Sequence, residues 1–324
     1  MNNKSQMMHS NPVFVAEAVP VNDYGNFPSS APPVVAQSVV VNNNTSAYSN
    51  LWTNTINEPA AREFLEANKW PRGLQDSFIQ QLRKIPIRFF ICDDSGSMST
   101  NDGHRLVAQH GKGRFVSCTR WNELTTALSF HSNLARAANA ATEFRFLNNS
   151  YHPIMIGDGQ DYDNSKFQIM TNILQTASPN GGTPLCHHIN EIVEKIRSIS
   201  PQLRANGQKA CVVIATDGES SDGDIATALR PLQQLPVWVV IRLCTDEDRI
   251  VDYWNNIDSQ LELDMDVLDD LEGEAEEIKQ NNSWLIYTEA LHRMREFGVT
   301  IKEMDLLDES SLSLDQIRFF CAML

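Results

Sequence analysis

Three long apolar runs constrain this chain more than any other feature: Phe89–Cys92 (FFIC), Cys211–Ala215 (CVVIA) and Val237–Leu243 (VWVVIRL). A strand with one wet face alternates apolar and polar residues. Runs that do not alternate belong to strands covered on both faces, as in a parallel sheet with helices on each side. Stretches with helical spacing separate them, at Trp121–Ala140, Pro184–Ile199 and Ile225–Leu235. Strands that alternate with helices are joined by right-handed crossovers. The expected fold is therefore α/β, a doubly wound, mostly parallel sheet flanked by helices.

The first run leads straight into Asp93-Asp94-Ser95-Gly96-Ser97. In open α/β sheets ligands bind outside the carboxyl ends of the strands. Asp93, Ser95 and Ser97 occupy alternate positions of a turn that Gly96 permits, so their oxygens can converge on one point. Oxygen-only donors suit a hard cation such as Mg²⁺ or Mn²⁺. The plainer reading is a polar turn in which Asp and Ser cap the next helix. Two distant stretches bear on the choice. Asn180–Leu185 (NGGTPL) is a glycine turn that presents Thr183 just before Pro184, and the second apolar run ends in Thr216-Asp217-Gly218-Glu219.

The pattern DxSxS at Asp93, Ser95 and Ser97, then Thr183 in a glycine turn, then TDGE at Asp217, resembles the metal-ion-dependent adhesion site of the von Willebrand factor A-domain family. The pieces come in the same order, and the resemblance covers roughly residues 84–260. It implies the Rossmann-like fold of that family. It also implies that Ser95, Ser97 and Thr183 touch a Mg²⁺ (or Mn²⁺), while Asp93 and Asp217 act through bound water or as acceptors behind. The last position is then left for a partner's Asp or Glu. The implied function is a metal-dependent protein–protein interaction module, not an enzyme, serving as an intracellular scaffold or assembly factor. Its partner would be a protein with an exposed acidic residue. The alternative is a Mg²⁺-dependent phosphohydrolase of haloacid-dehalogenase type, with Asp93 as nucleophile and Gly157–Asp161 (GDGQD) as its second motif. Against it, Ser95 stands where that family usually places a second Asp.

After the pentad the chain departs from the family pattern. Thr100–Arg120 intervenes and reads as a hairpin, Arg105–Gln109 and Arg114–Cys118 about a turn at residues 110–113. His104, Arg105, His110, Lys112, Arg114 and Arg120 make it basic. Arg105, Lys112 and Arg114 are the expected rim, favouring an acidic ligand. An ordinary solvated hairpin is the competing reading.

The predicted organisation is a disordered low-complexity tail over 1–50 and a helical lead-in over 51–84. The main domain follows over 85–260, with the insertion at 100–120, and then an acidic helical extension over 261–324. The tail is rich in Asn, Ser, Pro and Val, and Val15–Asn22 recurs as Val35–Asn42. Of the −15 net charge, the stretch Asp246–Glu309 carries all, with twenty Asp and Glu against five Lys and Arg. An acidic third argues against a nucleic-acid partner, since phosphates need a basic face. The extension is expected to fold back on the domain with its acids on a solvated face. A carboxylate from Leu261–Glu277 is a candidate internal ligand for the metal.

Six cysteines stand singly with no CxxC pair, and Cys92, Cys211 and Cys244 fall in apolar runs. That usage fits reduced thiols and a cytoplasmic location. Met1–Asn11 is polar, so no signal peptide is read there, and no apolar run approaches a membrane span. Cys321–Leu324 (CAML) matches a CaaX box. Phe319 and Phe320 indicate a packed helix instead, and no polybasic stretch precedes it, so prenylation at Cys321 is not expected.

Overall fold

The structure, a computed structural model, describes residues 48–109, 112–149, 152–245 and 247–324. The chain enters through a 3₁₀ turn at Ser49–Trp52 and two helices, Glu58–Ala67 (α1) and Arg72–Lys84 (α2). Asn57 caps α1 through its side chain, as expected, and Trp70 between the helices is buried with its ring edge on Phe78 at 5.3 Å. The low-complexity tail expected for residues 1–50 lies outside the described residues up to residue 47. Its last part is not tail: Tyr48 is buried and donates to Glu143 Oε2 at 3.1 Å.

Arg88–Cys92 (β1) is the centre of a six-stranded sheet. The hairpin strands Gly103–Gln109 (β2) and Lys112–Cys118 (β3) stand apart from it. They are followed by Arg120–Ala138 (α3), Thr142–Phe146 (β4), Ile154–Ile156 (β5), Ser165–Thr176 (α4) and Leu185–Ala205 (α5). Ala210–Thr216 (β6), Ile225–Leu229 (α6), Val237–Leu243 (β7), Asp248–Gln260 (α7) and Met265–Leu268 (β8) complete the α/β part. The sheet order is β5-β4-β1-β6-β7-β8, with only β5 antiparallel. The winding reverses between β1 and β6, which is where a doubly wound sheet opens a crevice.

The apolar runs do what their lack of alternation requires. Phe89 and Ile91 of β1, Val212 and Ile214 of β6, and Val239 and Ile241 of β7 pack into one core with α5, α6 and α7. Phe90 and Cys92, Val213 and Ala215, and Val240 face the other core, with α2, α3 and the C-terminal helices. Each fully buried side chain of this size contributes about 1.5–3 kcal/mol.

Beyond residue 260 the expectation needs correction. Met265–Leu268, placed by the sequence in a helical extension, is the sixth strand, paired parallel to β7 with Met265 opposite Val239. Alternating Leu263, Met265 and Val267 with acids between them is a period-two pattern that reads as amphipathic edge rather than core. Four helices then follow: Leu271–Asn281 (α8), Glu289–Glu296 (α9), Lys302–Glu309 (α10) and Leu314–Met323 (α11). Ser313 and Gln316 form the expected capping box on α11.

Nor are the acids all on a solvated face. Asp266 and Glu274 are buried around Arg295, which also reaches Asp308 at 3.1 Å. Glu296 is buried between Arg242 of β7, Arg293 and His131 of α3. These pairings fasten the extension to both sheet and helix layer. A buried arginine needs them, because an unpaired charge there is costly.

The acids outnumber Arg295, and the excess shows at Asp305. Burial first, then the charges of Asp266 and Glu309, push its carboxyl up to about 7. The unfolded residue titrates near 3.9, so folding favours the protonated form, and this stabilisation is full below about pH 4 and lost as pH rises through about 7. Chemical denaturation from about pH 6 to about pH 8 should therefore show stability falling by about 1 kcal/mol, solvent screening of a half-buried group included. Asp305→Asn should flatten part of that slope. An unchanged slope would mean Asp305 titrates normally.

Candidate functional site

Asp93 extends β1 by one residue, its amide donating to the Ala215 carbonyl at 2.9 Å. Its side chain is fully buried. Oδ1 accepts the Ser95 amide at 2.8 Å and Oδ2 accepts the Thr216 hydroxyl at 2.6 Å. Burial pushes this carboxyl above the usual aspartate range, and the bonds from Ser95 and Thr216 work against that shift. The first oxygen folds the turn after β1 back on itself. The second ties the turn to the end of β6.

The turn thereby aims its hydroxyls across the β1/β6 crevice. Ser95 Oγ and Ser97 Oγ lie 3.0 Å apart, and Ser97 donates to Asp217 Oδ1 at 2.8 Å. Asp217 is buried at the C-terminal end of β6. Four of the five expected metal residues are thus joined in one hydrogen-bonded set. Thr183 is held on the adjoining loop. Its amide donates to Ser221 Oγ at 3.0 Å, its carbonyl accepts the Ser221 amide at 2.9 Å, and Gly181 two residues earlier accepts the Gly96 amide at 3.1 Å. Among the described residues the Thr183 hydroxyl makes no hydrogen bond.

Several residues that the sequence did not single out build this frame. Asp94 is buried and accepts from the Asn148 amide and side chain at 2.7 and 3.1 Å. Asn148 in turn donates to the Gly182 carbonyl at 2.8 Å. Asp222 accepts the amides of Cys186 and His187 at 3.0 and 2.8 Å, capping α5 from outside. The largest omission is Arg120, counted in the sequence only as hairpin charge. Its Nη1 donates to Asp217 Oδ2 at 3.0 Å, and it also binds Asp102 and Glu247. Hydrogen bonding to Asp102, then to Glu247 and Asp217, holds the guanidinium more basic than an ordinary arginine. No local pattern could have shown this, since the three carboxylates come from separate loops.

The expected rim is placed differently from the site residues. Arg105 lines a small cavity with Glu123, Arg242, Glu289 and Arg293, and Arg114 is exposed on β3. Neither bonds to Asp93, Ser95, Ser97, Thr183 or Asp217 among the described residues. His110 and the Lys112 side chain lie outside the described residues. Each strand of this hairpin runs two residues longer than expected, with pairing from Gly103 opposite Cys118 to Gln109 opposite Lys112.

Four of the candidate internal ligands are engaged elsewhere. Asp264 pairs with Lys209, Asp266 and Glu274 with Arg295, and Asp270 with His104 at 3.4 Å. In the GDGQD stretch, Asp161 accepts the amides of Lys166 and Phe167, both at 3.0 Å, at the start of α4, and β4 separates β5 from β1. Cys321 is exposed, while Met323 is buried in the last turn of α11. Among the described residues no helix is long and apolar enough to cross a membrane.

The donor set fits a hard cation in kind: three hydroxyls and two carboxylates, all oxygen. Among the described residues no group of three or more His, Cys, Asp or Glu side chains is placed to hold a metal, so a cation here would depend on the hydroxyls.

No protein-family model and no curated protein matches the chain. Solved structures similar to it include BatB, a conserved hypothetical protein from Bacteroides thetaiotaomicron. That match has 17% identity, a TM-score of 0.33, and spans 48% of this chain and 65% of that one. The manganese-loaded TRAP protein of Plasmodium vivax is 18% identical, with a TM-score of 0.35, over 60% of this chain and 72% of that one. At this level of superposition the functional reading rests on the site's own residues.

One glycine tests the frame. Gly181 has φ +83°, and a Cβ there would clash with the Asn148 side-chain oxygen. Gly181→Ala should cost about 1–3 kcal/mol in urea unfolding, from backbone strain and loss of the Asn148 clasp. A cost near zero would mean the two loops are not held as described.

Proposed function

We propose that the chain is a divalent-cation-dependent protein-binding module, with the site at the carboxyl ends of β1 and β6. Ser95, Ser97 and Thr183 would hold a Mg²⁺ or Mn²⁺, with Asp93 and Asp217 behind them. The observation that carries the reading is the Ser95–Ser97–Asp217 set, formed where the strand order reverses and fixed from below by Asp93. A cation held largely by neutral hydroxyls keeps most of its charge, and so attracts a carboxylate from an Asp or Glu of a partner protein. The chain's own part is to hold the hydroxyls in place, keep Asp93 away from solvent and leave the crevice open to an acidic group.

The phosphohydrolase reading has less support. A nucleophilic Asp93 needs a free oxygen facing substrate, whereas both of its oxygens are engaged and the residue is buried. In the second motif of that reading, Asp161 is spent on the first amides of α4, and Asp158 accepts from the Gln160 amide and Lys166 Nζ. Six free cysteines, four of them buried, support a reducing, intracellular setting, and a scaffold or assembly role is the proposal that follows from a binding site without a reactive group.

Calorimetric titration with Mn²⁺ tests the reading. The intact protein should bind one ion, and Ser95→Ala with Ser97→Ala should weaken binding at least about tenfold, roughly 1.4 kcal/mol. No binding by a folded wild type would overturn it.

A further inference from the structure

The site carries a charge that none of the three sequence motifs contains. Arg120, the first residue of α3, is only 3% exposed. Its Nε and Nη2 donate in parallel to the two oxygens of Asp102, at 2.7 and 2.5 Å. Nη2 also donates to Glu247 Oε1 at 2.8 Å, and Nη1 to Asp217 Oδ2 at 3.0 Å. These bonds use four of the five N–H donors of a guanidinium. Its backbone is tied to the site as well. The Arg120 amide donates to the Thr100 carbonyl at 3.0 Å, and the Thr100 amide to the Ser97 carbonyl at 2.9 Å. The position of the guanidinium is therefore fixed relative to the Ser97 turn.

Asp217 is the shared element. One oxygen takes the Ser97 hydroxyl and the other takes Arg120. The guanidinium thus offers Asp217 what a divalent cation would offer it, a positive charge within hydrogen-bond reach. An arginine side chain is not deprotonated in proteins, so this charge is permanent. A cation held beside Asp217 would sit close to a like charge, in a site too buried for water to screen it fully. The other two carboxylates differ in exposure from the arginine they hold: Asp102 and Glu247 are 40% and 54% exposed. They keep the guanidinium in place whether or not Asp217 holds it too.

We infer that Arg120 is a resident competitor for the cation: it compensates Asp217 in the cation-free protein and thereby sets how tightly Mg²⁺ or Mn²⁺ is held. This rests on the metal-dependent reading of the same site. Asp102 and Glu247 are its tethers, drawing charge away from Asp217 when a cation arrives. Two consequences follow. The crevice keeps its shape without a metal, because the chain Ser95–Ser97–Asp217–Arg120 closes on itself. Affinity for the ion is lower than the oxygen donors alone would give.

The test is Mn²⁺ titration of the full chain by calorimetry and by water-proton relaxation, with folding checked by circular dichroism. Arg120→Met keeps the stem and removes the charge, and should tighten Mn²⁺ binding about tenfold or more. Arg120→Lys keeps a charge and should stay closer to wild type than Arg120→Met. If Arg120→Met does not fold, the pair Asp102→Asn with Glu247→Gln, which touches none of the proposed ligands, gives the reading instead. Leaving the guanidinium to Asp217 alone, that pair should weaken Mn²⁺ binding. Wild-type binding with no tightening in folded Arg120→Met, or no weakening in the tether pair, overturns the role of Arg120 while leaving the metal site standing. No Mn²⁺ binding by folded wild type overturns the metal reading and this inference with it.

Discussion

One buried carboxylate, Asp93, joins the two halves of the sheet at the point where its strand order reverses. Through one oxygen it folds the turn after β1, and through the other it holds the Thr216 hydroxyl at the end of β6. Without those bonds the Ser95 and Ser97 hydroxyls have no fixed direction, and Asp217 has no fixed distance from them. Such an interaction is strong because it is buried, and for the same reason it fails if either partner is removed. The rest of the frame is arranged around it: Asp94 clasps Asn148, Asn148 clasps the Gly182 carbonyl, and Ser221 holds Thr183.

The extension beyond residue 260 belongs to the fold rather than to its surface. β8 closes the sheet edge beside β7, and α9 brings Arg293, Arg295 and Glu296 against β7, β8 and α3. Part of its acidity is structural: Asp266, Glu274 and Asp308 are spent on Arg295, and Glu296 on Arg242 and Arg293. Carboxylates left over, such as Asp305, are raised toward neutrality instead of standing ready as ligands.

Much of this was legible in the residues. β1, β6 and β7 were visible because a strand covered on both faces cannot alternate, and the capping box of α11 because its two partners are three residues apart. The site motif was visible because the turn after β1 is local. β8 was not, since Met265–Leu268 sits in an acidic stretch that the sequence assigns to a helical extension, and Asp266 meets Arg295 only in the fold. Arg120 was counted as hairpin charge for the same reason. Its meaning lies in Asp102, Asp217 and Glu247, which come together only when the chain folds. Charge that is paired across the fold reads in sequence as charge on the surface.

The most direct measurement is anomalous diffraction from crystals of the full chain soaked in Mn²⁺. The account predicts a peak within bonding distance of the Ser95, Ser97 and Thr183 hydroxyls, about 2.0–2.4 Å, with Arg120 drawn back toward Asp102 and Glu247. A crystal with no peak there, or with manganese only in the acidic cleft lined by Asp248, Asp269 and Glu276, would contradict it.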